Sequence, residues 1–143
     1  MSEKVQKARL FNFWALLPRW FRPATGAVGE SLARRYLRRA GYLILDCNWR
    51  CPAGEVDIIA AKGSTLIFVE VKARSGFIAE RFSPTEAVDD DKEGRIKRAA
   101  DFYMEQNQHQ PRRRRFRSVR FDVLAVTTFN GMTRITHYEG AFQ

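Results

Sequence analysis

Two apolar segments of this chain, GEVDIIAAK and TLIFVEVKAR, are separated only by Gly63 and Ser64 within residues 54–74. A two-residue link that contains glycine between two β-prone segments predicts an antiparallel hairpin, because glycine readily takes the positive φ that tight hairpin turns require. With Gly63 and Ser64 as the turn, Lys62 faces Thr65, and this register continues down both strands. A four-residue loop keeps the same pairing, whereas a three-residue loop shifts it by one residue. The register therefore decides which side chains of the two strands can meet.

The predicted register places four charged side chains on one face of the hairpin. Asp57 lies opposite Glu70, and Glu55 lies opposite Lys72. Directly opposed residues have Cβ atoms about 4.5–5.5 Å apart, so two facing carboxylates destabilise a sheet unless a positive charge lies between them. The opposite face is predicted to be apolar core, formed by Val56, Ile58, Ile67, Val69 and Val71.

The residues alone leave two interpretations of these charges open. In the first, Asp57 and Glu70 bind a hard divalent cation, Mg²⁺ or Mn²⁺, and Lys72 supplies further positive charge. Magnesium takes one or two protein carboxylates and fills its shell with water and phosphate oxygens, so such a site suits a phosphodiester. In the second, the charges form a solvated strand face, where ion pairs of Lys72 with Glu55 and Asp57 each contribute under about 1 kcal/mol. Glu55 is a possible accessory residue of such a site, although a pair with Lys72 could be its whole role.

The net charge indicates the class of partner. Of the 143 residues, 25 are Lys or Arg and 16 are Asp or Glu, which gives a net charge of +9 and a pI near 10.2. This excess favours a polyanionic partner, with DNA or RNA ahead of an anionic membrane. Cys47 and Cys51 are too few for a small disulfide-rich secreted scaffold, so a cytoplasmic location is expected. Neither His109 nor His137 has the spacing of a zinc ligand.

Residues 1–23 are predicted to be an aromatic and basic extension that precedes a single domain at residues 24–143. Charged residues and proline interrupt the segment ARLFNFWALLPRWFRP, and no window of the chain is apolar over the length of a membrane-spanning helix. We therefore expect no transmembrane segment. The extension could dock on a partner or on a membrane surface, or it could be an appended helix that is packed on the domain or frayed.

Helical periodicity follows the extension. A first helix is expected between the capping residue Thr25 and Gly41, and a second is expected to start near Asp89–Asp91, where acids suit the helix dipole. Beyond the hairpin, YLILDCNWR, VRFDVLAV and RITHY indicate three further strands. The order helix, strand, strand, strand, helix, strand, strand predicts a single α/β domain with a mixed sheet flanked by helices. The predicted inner faces are Val28, Leu32, Ala33, Tyr36, Leu37 and Ala40 in the first helix, and Ile96, Ala99, Ala100 and Tyr103 in the second.

Asp57 followed by Glu70-Val71-Lys72 resembles the signature of the PD-(D/E)XK nuclease superfamily, in which a hairpin carries an Asp and then Glu-x-Lys. Four blocks, GESLARRYLRRAGYLIL, NWRCPAGEVDIIA, FVEVKARS and RFDVLAV, are similar in this order to the bacterial YraN-like family of predicted Holliday-junction-resolvase-like endonucleases. The resemblance covers residues 26–142. It implies a restriction-endonuclease-like fold and a metal-dependent endonuclease for branched DNA such as four-way junctions. Because a resolvase makes two symmetric cuts, it also implies a homodimer.

The resemblance assigns roles to particular residues. It implies that Asp57, Glu70 and the backbone carbonyl of Val71 bind the metal. Lys72 would position or activate the attacking water and stabilise charge at the phosphate. Glu30 matches the acid that resolvase-like members add from their first helix, although a first-turn acid is also favoured by the helix dipole.

Basic residues outside the hairpin are the expected phosphate contacts. The alternative for those on the first helix is a solvated outer face. The acidic turn Asp89–Asp91 is unusual for an element that faces DNA in this family. The expected contacts are Arg34, Arg35, Arg38, Arg39, Arg74, Lys92, Arg95, Arg112, Arg113, Arg114 and Arg115.

Two other classes of function compete with the nuclease interpretation. The chain could be a non-catalytic, basic nucleic-acid-binding module that keeps the nuclease fold. It could also be an adaptor that docks on a partner or membrane through the aromatic residues of the extension.

Overall fold

Two helices and six strands make up the computed structural model of the protein, which describes residues 9–11, 25–75, 90–111 and 116–143. In chain order these elements are β1 (Arg9–Phe11), α1 (Thr25–Arg39), β2 (Leu43–Cys51), β3 (Gly54–Lys62), β4 (Thr65–Ser75), α2 (Asp90–Asn107), β5 (Ser118–Phe129) and β6 (Met132–Phe142). The strands form one sheet in the order β1-β6-β5-β4-β3-β2. The predicted single-domain mixed α/β fold is confirmed, and it is compatible with the restriction-endonuclease-like fold.

The two helices cover opposite faces of the sheet. β4 and β5 run parallel, whereas the other neighbouring strands run antiparallel. Parallel strands need a crossover connection, and α2 lies in the connection between β4 and β5. One core cluster joins α2 to the sheet through residues such as Ile96 and Phe68, and a second joins α1 to the sheet through Leu37 and Ile67. Both predicted inner helix faces are confirmed as part of these cores.

α1 ends where the sequence predicts. Gly41 has a φ of 84°, a conformation that glycine adopts without steric cost. Its N–H donates to the carbonyl of Arg38 at 3.1 Å, and the N–H of Tyr42 donates to the carbonyl of Leu37 at 2.9 Å. These bonds satisfy carbonyls that the helix end would otherwise leave without partners.

The β3–β4 hairpin has the predicted register. Lys62 pairs with Thr65 across a turn in which Gly63 has a φ of 59°. The pairing then continues as far as Ile58 and Val69. The two-residue turn is therefore confirmed, together with the alignment that it sets.

The side-chain alternation along β3 is broken beside Asp57. Val56 packs in the α2 cluster and Ile58 in the α1 cluster, so the prediction that both cover one face was wrong. In β2, Trp49 pairs with Val56 and Cys47 pairs with Ile58, while Asn48 between them has a φ of 51°. A left-handed residue interrupts the two-residue alternation of a strand. Side chains on either side of this point therefore face different helices.

The predicted N-terminal extension contributes an edge strand. Arg9 pairs with Ile135 and Phe11 with Thr133 of β6, so these three residues are extended, whereas an appended helix was one of the alternatives for this segment. The rest of the extension lies outside the described residues. Neither α1 nor α2 combines the length and the apolar character that a membrane crossing requires.

Asp122 on β5 is completely buried and accepts four hydrogen bonds. The donors are Nε and Nη2 of Arg120 at 2.8 Å each, Nε2 of His137 at 2.8 Å and the N–H of Gly140 at 2.9 Å. Burial alone would raise the pKa of Asp122, but the bonds from His137 and Arg120 hold it below its usual value. The carboxylate is therefore a charged structural centre of the domain, for which the sequence offered no local signal.

The Asp122 cluster also reaches the end of α1. The hydroxyl of Tyr42, which follows the helix, donates to Glu139 at 2.8 Å and accepts from Arg120 at 3.1 Å. Arg120 forms an ion pair with Glu139 at 3.2 Å. The last turn of α1 is thereby fastened to β5 and β6.

We expect Asp122→Asn to lower the free energy of unfolding by about 3 kcal/mol at pH 7, because it removes the buried charge that its donors surround. Since folding lowers the pKa of Asp122, this stabilisation is present above the pKa of the unfolded carboxyl and is lost as the pH falls through the folded pKa. Urea unfolding at pH 7 and below pH 4 measures both effects. The exposed Asp101 provides the control, since Asp101→Asn should change stability by less than about 0.5 kcal/mol. Equal losses in the two variants would contradict the structural role of Asp122.

Candidate active site

The candidate site lies at the end of the β3–β4 hairpin, beyond the last paired residues Ile58 and Val69. There the side chain of Asp57 accepts a hydrogen bond from the backbone N–H of Val71 at 2.7 Å. The turn has thus aligned the strands so that Asp57 reaches across to β4 beside Glu70, as the register predicted.

Asp57 and Glu70 are close enough for their charges to oppose each other. Burial first, and then the charge of Glu70, raise the pKa of Asp57 to about 7, while the hydrogen bond from Val71 acts in the other direction. The charge of Glu30 raises it further. Asp57 is consequently poised between its two protonation states near neutral pH, and the site favours any added positive charge.

Two lysines supply positive charge at Glu70, whose side chain is only 5% exposed. Nζ of Lys72 lies 3.1 Å from Oε1 of Glu70, and Nζ of Lys92 contacts the same oxygen. Burial and the neighbouring Lys92 lower the pKa of Lys72. Burial alone would lower the pKa of Lys92, but its bond to Glu70 holds that pKa above the usual value. Lys92, predicted only as a phosphate contact, therefore belongs to the centre of the site.

Glu30 approaches the site from α1, on the other side of the sheet. The preceding residue, Gly29, packs so closely on β4 that a Cβ built there would lie 2.5 Å from the Cβ of Ala73. This contact lets the first turns of α1 lie directly on the strand that carries Glu70 and Lys72. The half-buried Glu30 is thus near enough to act on the charge of Asp57. The sequence indicated Glu30 but not the close approach that places it.

Glu55 lies outside this charge cluster. Its carboxylate pairs with Nε of Arg50 at 3.0 Å, and the two side chains are 39% and 78% exposed. Among the described residues, the ion pair of Glu55 is therefore with Arg50. The alternative in which Glu55 pairs with Lys72 was wrong. Arg50 faces Glu55 directly across β2 and β3 and therefore reaches it first. Such an exposed pair contributes little to stability.

The predicted nucleic-acid contacts fall into three groups. Arg34 and Arg38 follow Glu30 at intervals of four residues and share its side of α1, while Arg35 and Arg39 lie beside them. The remaining residues outside α1 include Lys92 in the site, the exposed Arg74 two residues beyond Lys72, and the exposed Arg95 on α2. The run Arg112, Arg113, Arg114 and Arg115 lies outside the described residues.

The ligand set at this site is small. In the parts of the chain that the structure describes, no three side chains of His, Cys, Asp or Glu gather closely enough to hold a metal ion by themselves. Asp57 and Glu70 offer two carboxylates, and the Val71 backbone offers a carbonyl beside them. Magnesium commonly takes one or two protein carboxylates and completes its octahedron with water and phosphate oxygens. Two opposed, largely buried acids therefore fit a hard divalent cation.

Comparison with known proteins places the site residues in a shared sequence region. The uncharacterised protein family UPF0102 matches residues 29–126, which contain Glu30, Asp57, Glu70, Lys72 and Lys92. Similar proteins include the UPF0102 proteins of Rhodococcus opacus (46% identical over 121 residues), Frankia alni (44% over 121) and Alkaliphilus oremlandii (42% over 117). These alignments cover 83%, 83% and 82% of this chain and 96%, 94% and 96% of the relatives. They confirm the YraN-like resemblance, and the names of the relatives state no activity.

The Gly29–Ala73 contact predicts that Gly29→Ala destabilises the domain by about 1–3 kcal/mol, because the new methyl group overlaps that of Ala73. Gly26→Ala is the matched control: it lies in the same helix, and nothing lies within 4 Å of the added Cβ. Its stability should be unchanged or slightly higher. Urea unfolding of each variant, and of Gly29→Ala combined with Ala73→Gly, tests the contact. If the double variant recovers no stability, the overlap with Ala73 is not the cause.

In metal-free protein, the contribution of Asp57 to the free energy of unfolding should fall as the pH rises from about 4 to 7. Its folded pKa of about 7 lies above the model value of 3.8, so the native state holds a proton that the unfolded chain has released. At pH 8 we expect Asp57→Asn to be more stable than wild type by on the order of 3 kcal/mol, with the difference vanishing near pH 4. Thermal or urea unfolding in EDTA across this range measures it. A constant difference would show that folding does not raise the pKa of Asp57.

Proposed function

The chain belongs to the uncharacterised protein family UPF0102, and we propose that it is a metal-dependent endonuclease that hydrolyses phosphodiester bonds in DNA. The observation that carries this proposal is the largely buried pair of Asp57 and Glu70, with Lys72 beside it, at the end of the hairpin. Opposed acids lower the stability of a fold unless their negative charge is used. A hard divalent cation neutralises the negative charge of the two carboxylates and can at the same time bind a phosphate oxygen.

Each residue of the site has a part in this chemistry. Asp57, Glu70 and the carbonyl of Val71 hold Mg²⁺ or Mn²⁺. When bound, such a cation supplies Lewis-acid charge to the phosphate and makes a nucleophile available near neutral pH. Lys72 places an ammonium where negative charge develops on the phosphate, which favours the transition state over the ground state. Glu30 orients water from the α1 side of the site.

The net charge of +9 and the positions of the arginines support the proposed binding to DNA. Arg34 and Arg38 continue the line of Glu30 along α1, and Arg74 extends β4 beyond Lys72. Guanidinium groups on a helix and at a strand end suit phosphates along a backbone more than base edges. We therefore propose that the protein binds DNA with little reading of base sequence.

The proposed substrate is branched DNA, such as a four-way junction, in the cytoplasm. This choice follows the family resemblance of the four sequence blocks. A four-way junction presents two symmetric strands for cutting, so the proposal includes a homodimer with one site in each subunit.

A second candidate is a nucleic-acid-binding module without catalytic activity. One observation favours it: Lys72 and Lys92 both contact Glu70. A carboxylate that is already paired with two lysines can stabilise the fold without binding a metal ion. The acids Asp90, Asp91 and Glu93 in the first turn of α2 also repel a phosphate close to this cluster.

A cleavage panel tests the proposal. Linear duplex, single strand, flap and four-way junction are incubated with Mg²⁺, Mn²⁺ or EDTA. We expect Asp57→Asn and Lys72→Met to reduce cleavage by at least about 100-fold, the scale of removing one group that stabilises the transition state, while DNA still binds.

The matched control for Asp57→Asn is Asp101→Asn, an exposed carboxylate on α2 that should cut like wild type. Wild-type rates in both site variants would show that the site is wrongly assigned. Binding without cleavage of any substrate by the wild type, with either metal, would favour the non-catalytic module.

A further inference from the structure

Two ammonium groups contact one buried carboxylate oxygen in the candidate site. Nζ of Lys72 and Nζ of Lys92 both lie against Oε1 of Glu70. Lys92 is also close enough to Asp57 for their charges to interact. The positive charge that the two opposed acids require is therefore supplied by the chain itself, at the place where a divalent cation would bind.

The two lysines are not equivalent. Lys72 stands two residues from Glu70 on the same strand and is 20% exposed, so the backbone of β4 holds it beside the carboxylate. Lys92 reaches Glu70 from the first turn of α2 and is 37% exposed. A cation that binds Glu70 repels both ammonium groups, and the more exposed one returns to water with the smaller change in solvation. The difference in exposure therefore favours the departure of Lys92 over that of Lys72.

We propose that Lys92 is an internal counterion that competes with the divalent cation for Glu70, and that metal binding transfers its ammonium from Glu70 to a substrate phosphate. This inference rests on the proposed function, because it takes Asp57 and Glu70 as the metal-binding carboxylates. The proposal accounts for both roles of Lys92. The sequence analysis predicts that Lys92 contacts a phosphate, and in the structure Lys92 contacts Glu70.

Metal binding and DNA binding are coupled by this exchange. One ammonium cannot neutralise Glu70 and bind a phosphate at the same time. A cation on Glu70 releases Lys92 for DNA, and a phosphate that holds Lys92 clears Glu70 for the cation. By linkage, each ligand raises the affinity for the other by the same factor. The affinity of the site for the divalent cation is therefore lower in the absence of DNA than in its presence.

Calorimetric titration of the metal-free full-length protein with Mn²⁺, without DNA, tests the competition. We expect Lys92→Met to bind Mn²⁺ roughly three- to tenfold more tightly than wild type, since the cation no longer displaces an ammonium from a partly exposed ion pair. Adding Asp57→Asn to Lys92→Met should abolish this tight binding. That loss would show that the measured heat comes from Mn²⁺ binding at the candidate site.

Lys97→Met is the matched control. Lys97 lies on the same helix, is also 37% exposed and pairs with Glu93 at 3.9 Å. Its replacement removes the same charge from α2, so its Mn²⁺ affinity should stay within about twofold of wild type. Lys92→Arg keeps the charge and should also bind like wild type. Circular dichroism confirms folding, and Lys92→Gln replaces Lys92→Met if methionine is not tolerated.

The outcomes separate this inference from the proposed function. Equal Mn²⁺ affinity in wild type and Lys92→Met overturns the competition, while the endonuclease proposal stands if the wild type cuts DNA. A wild type that neither binds Mn²⁺ nor cuts DNA overturns the endonuclease proposal. In that case tight binding in Lys92→Met would still support the competition, and its absence would overturn it.

Discussion

The register of the β3–β4 hairpin is the constraint on which the candidate site depends. Side chains alternate between the two faces of a sheet, so a slip of one residue would separate Asp57 from Glu70. Both faces of this hairpin are covered by helices, which means that a slip would also drive a charged residue into one of the two cores. The packing that stabilises the sheet therefore selects the alignment that brings the two acids together. The turn at Gly63 and the apolar cores favour the same structure.

The domain contains two largely buried aspartates whose surroundings act in opposite directions. Asp122 is surrounded by donors from Arg120, His137 and Gly140, which keep its pKa low in spite of burial. Asp57 has one backbone donor and a carboxylate neighbour, and its pKa rises to about 7. The first arrangement stabilises the fold at neutral pH, whereas the second opposes it. Acids held at such a cost are more common at functional sites than in structural networks.

Local pattern was sufficient to predict most elements and the centre of the site. The inner faces of α1 and α2, the end of α1 at Gly41 and the hairpin register all depend on residues within a few positions of one another. Helical periodicity, capping and turn chemistry operate on that scale. Asp57 and Glu70 could be paired from sequence for the same reason, since the twelve residues between them, from Ile58 to Val69, form one hairpin with a single turn.

The features that sequence did not predict involve residues that are far apart in the chain. Lys92 reaches Glu70 from a separate helix, the hydrogen bonds around Asp122 join β5 to β6, and Tyr42 after α1 bonds to Glu139 of β6. Glu55 of β3 had possible partners on both neighbouring strands, and it pairs with Arg50 of β2 and not with Lys72 of β4. Val56 and Ile58 face different helices at the level where Asn48 of β2 has a positive φ. In each case the deciding contact is made only once the sheet has been assembled.

The attachment of α1 at both of its ends has a mechanical consequence. At its beginning Gly29 rests on Ala73 with no side chain between helix and strand, and after its last turn Tyr42 is bonded to Glu139 and Arg120. Contacts at both ends oppose tilting of α1 and sliding of α1 along the sheet. The span from Glu30 to Arg38 is eight helical rises, about 12 Å, and in the proposed complex it would set the distance between a phosphate bound by the helix and the acids.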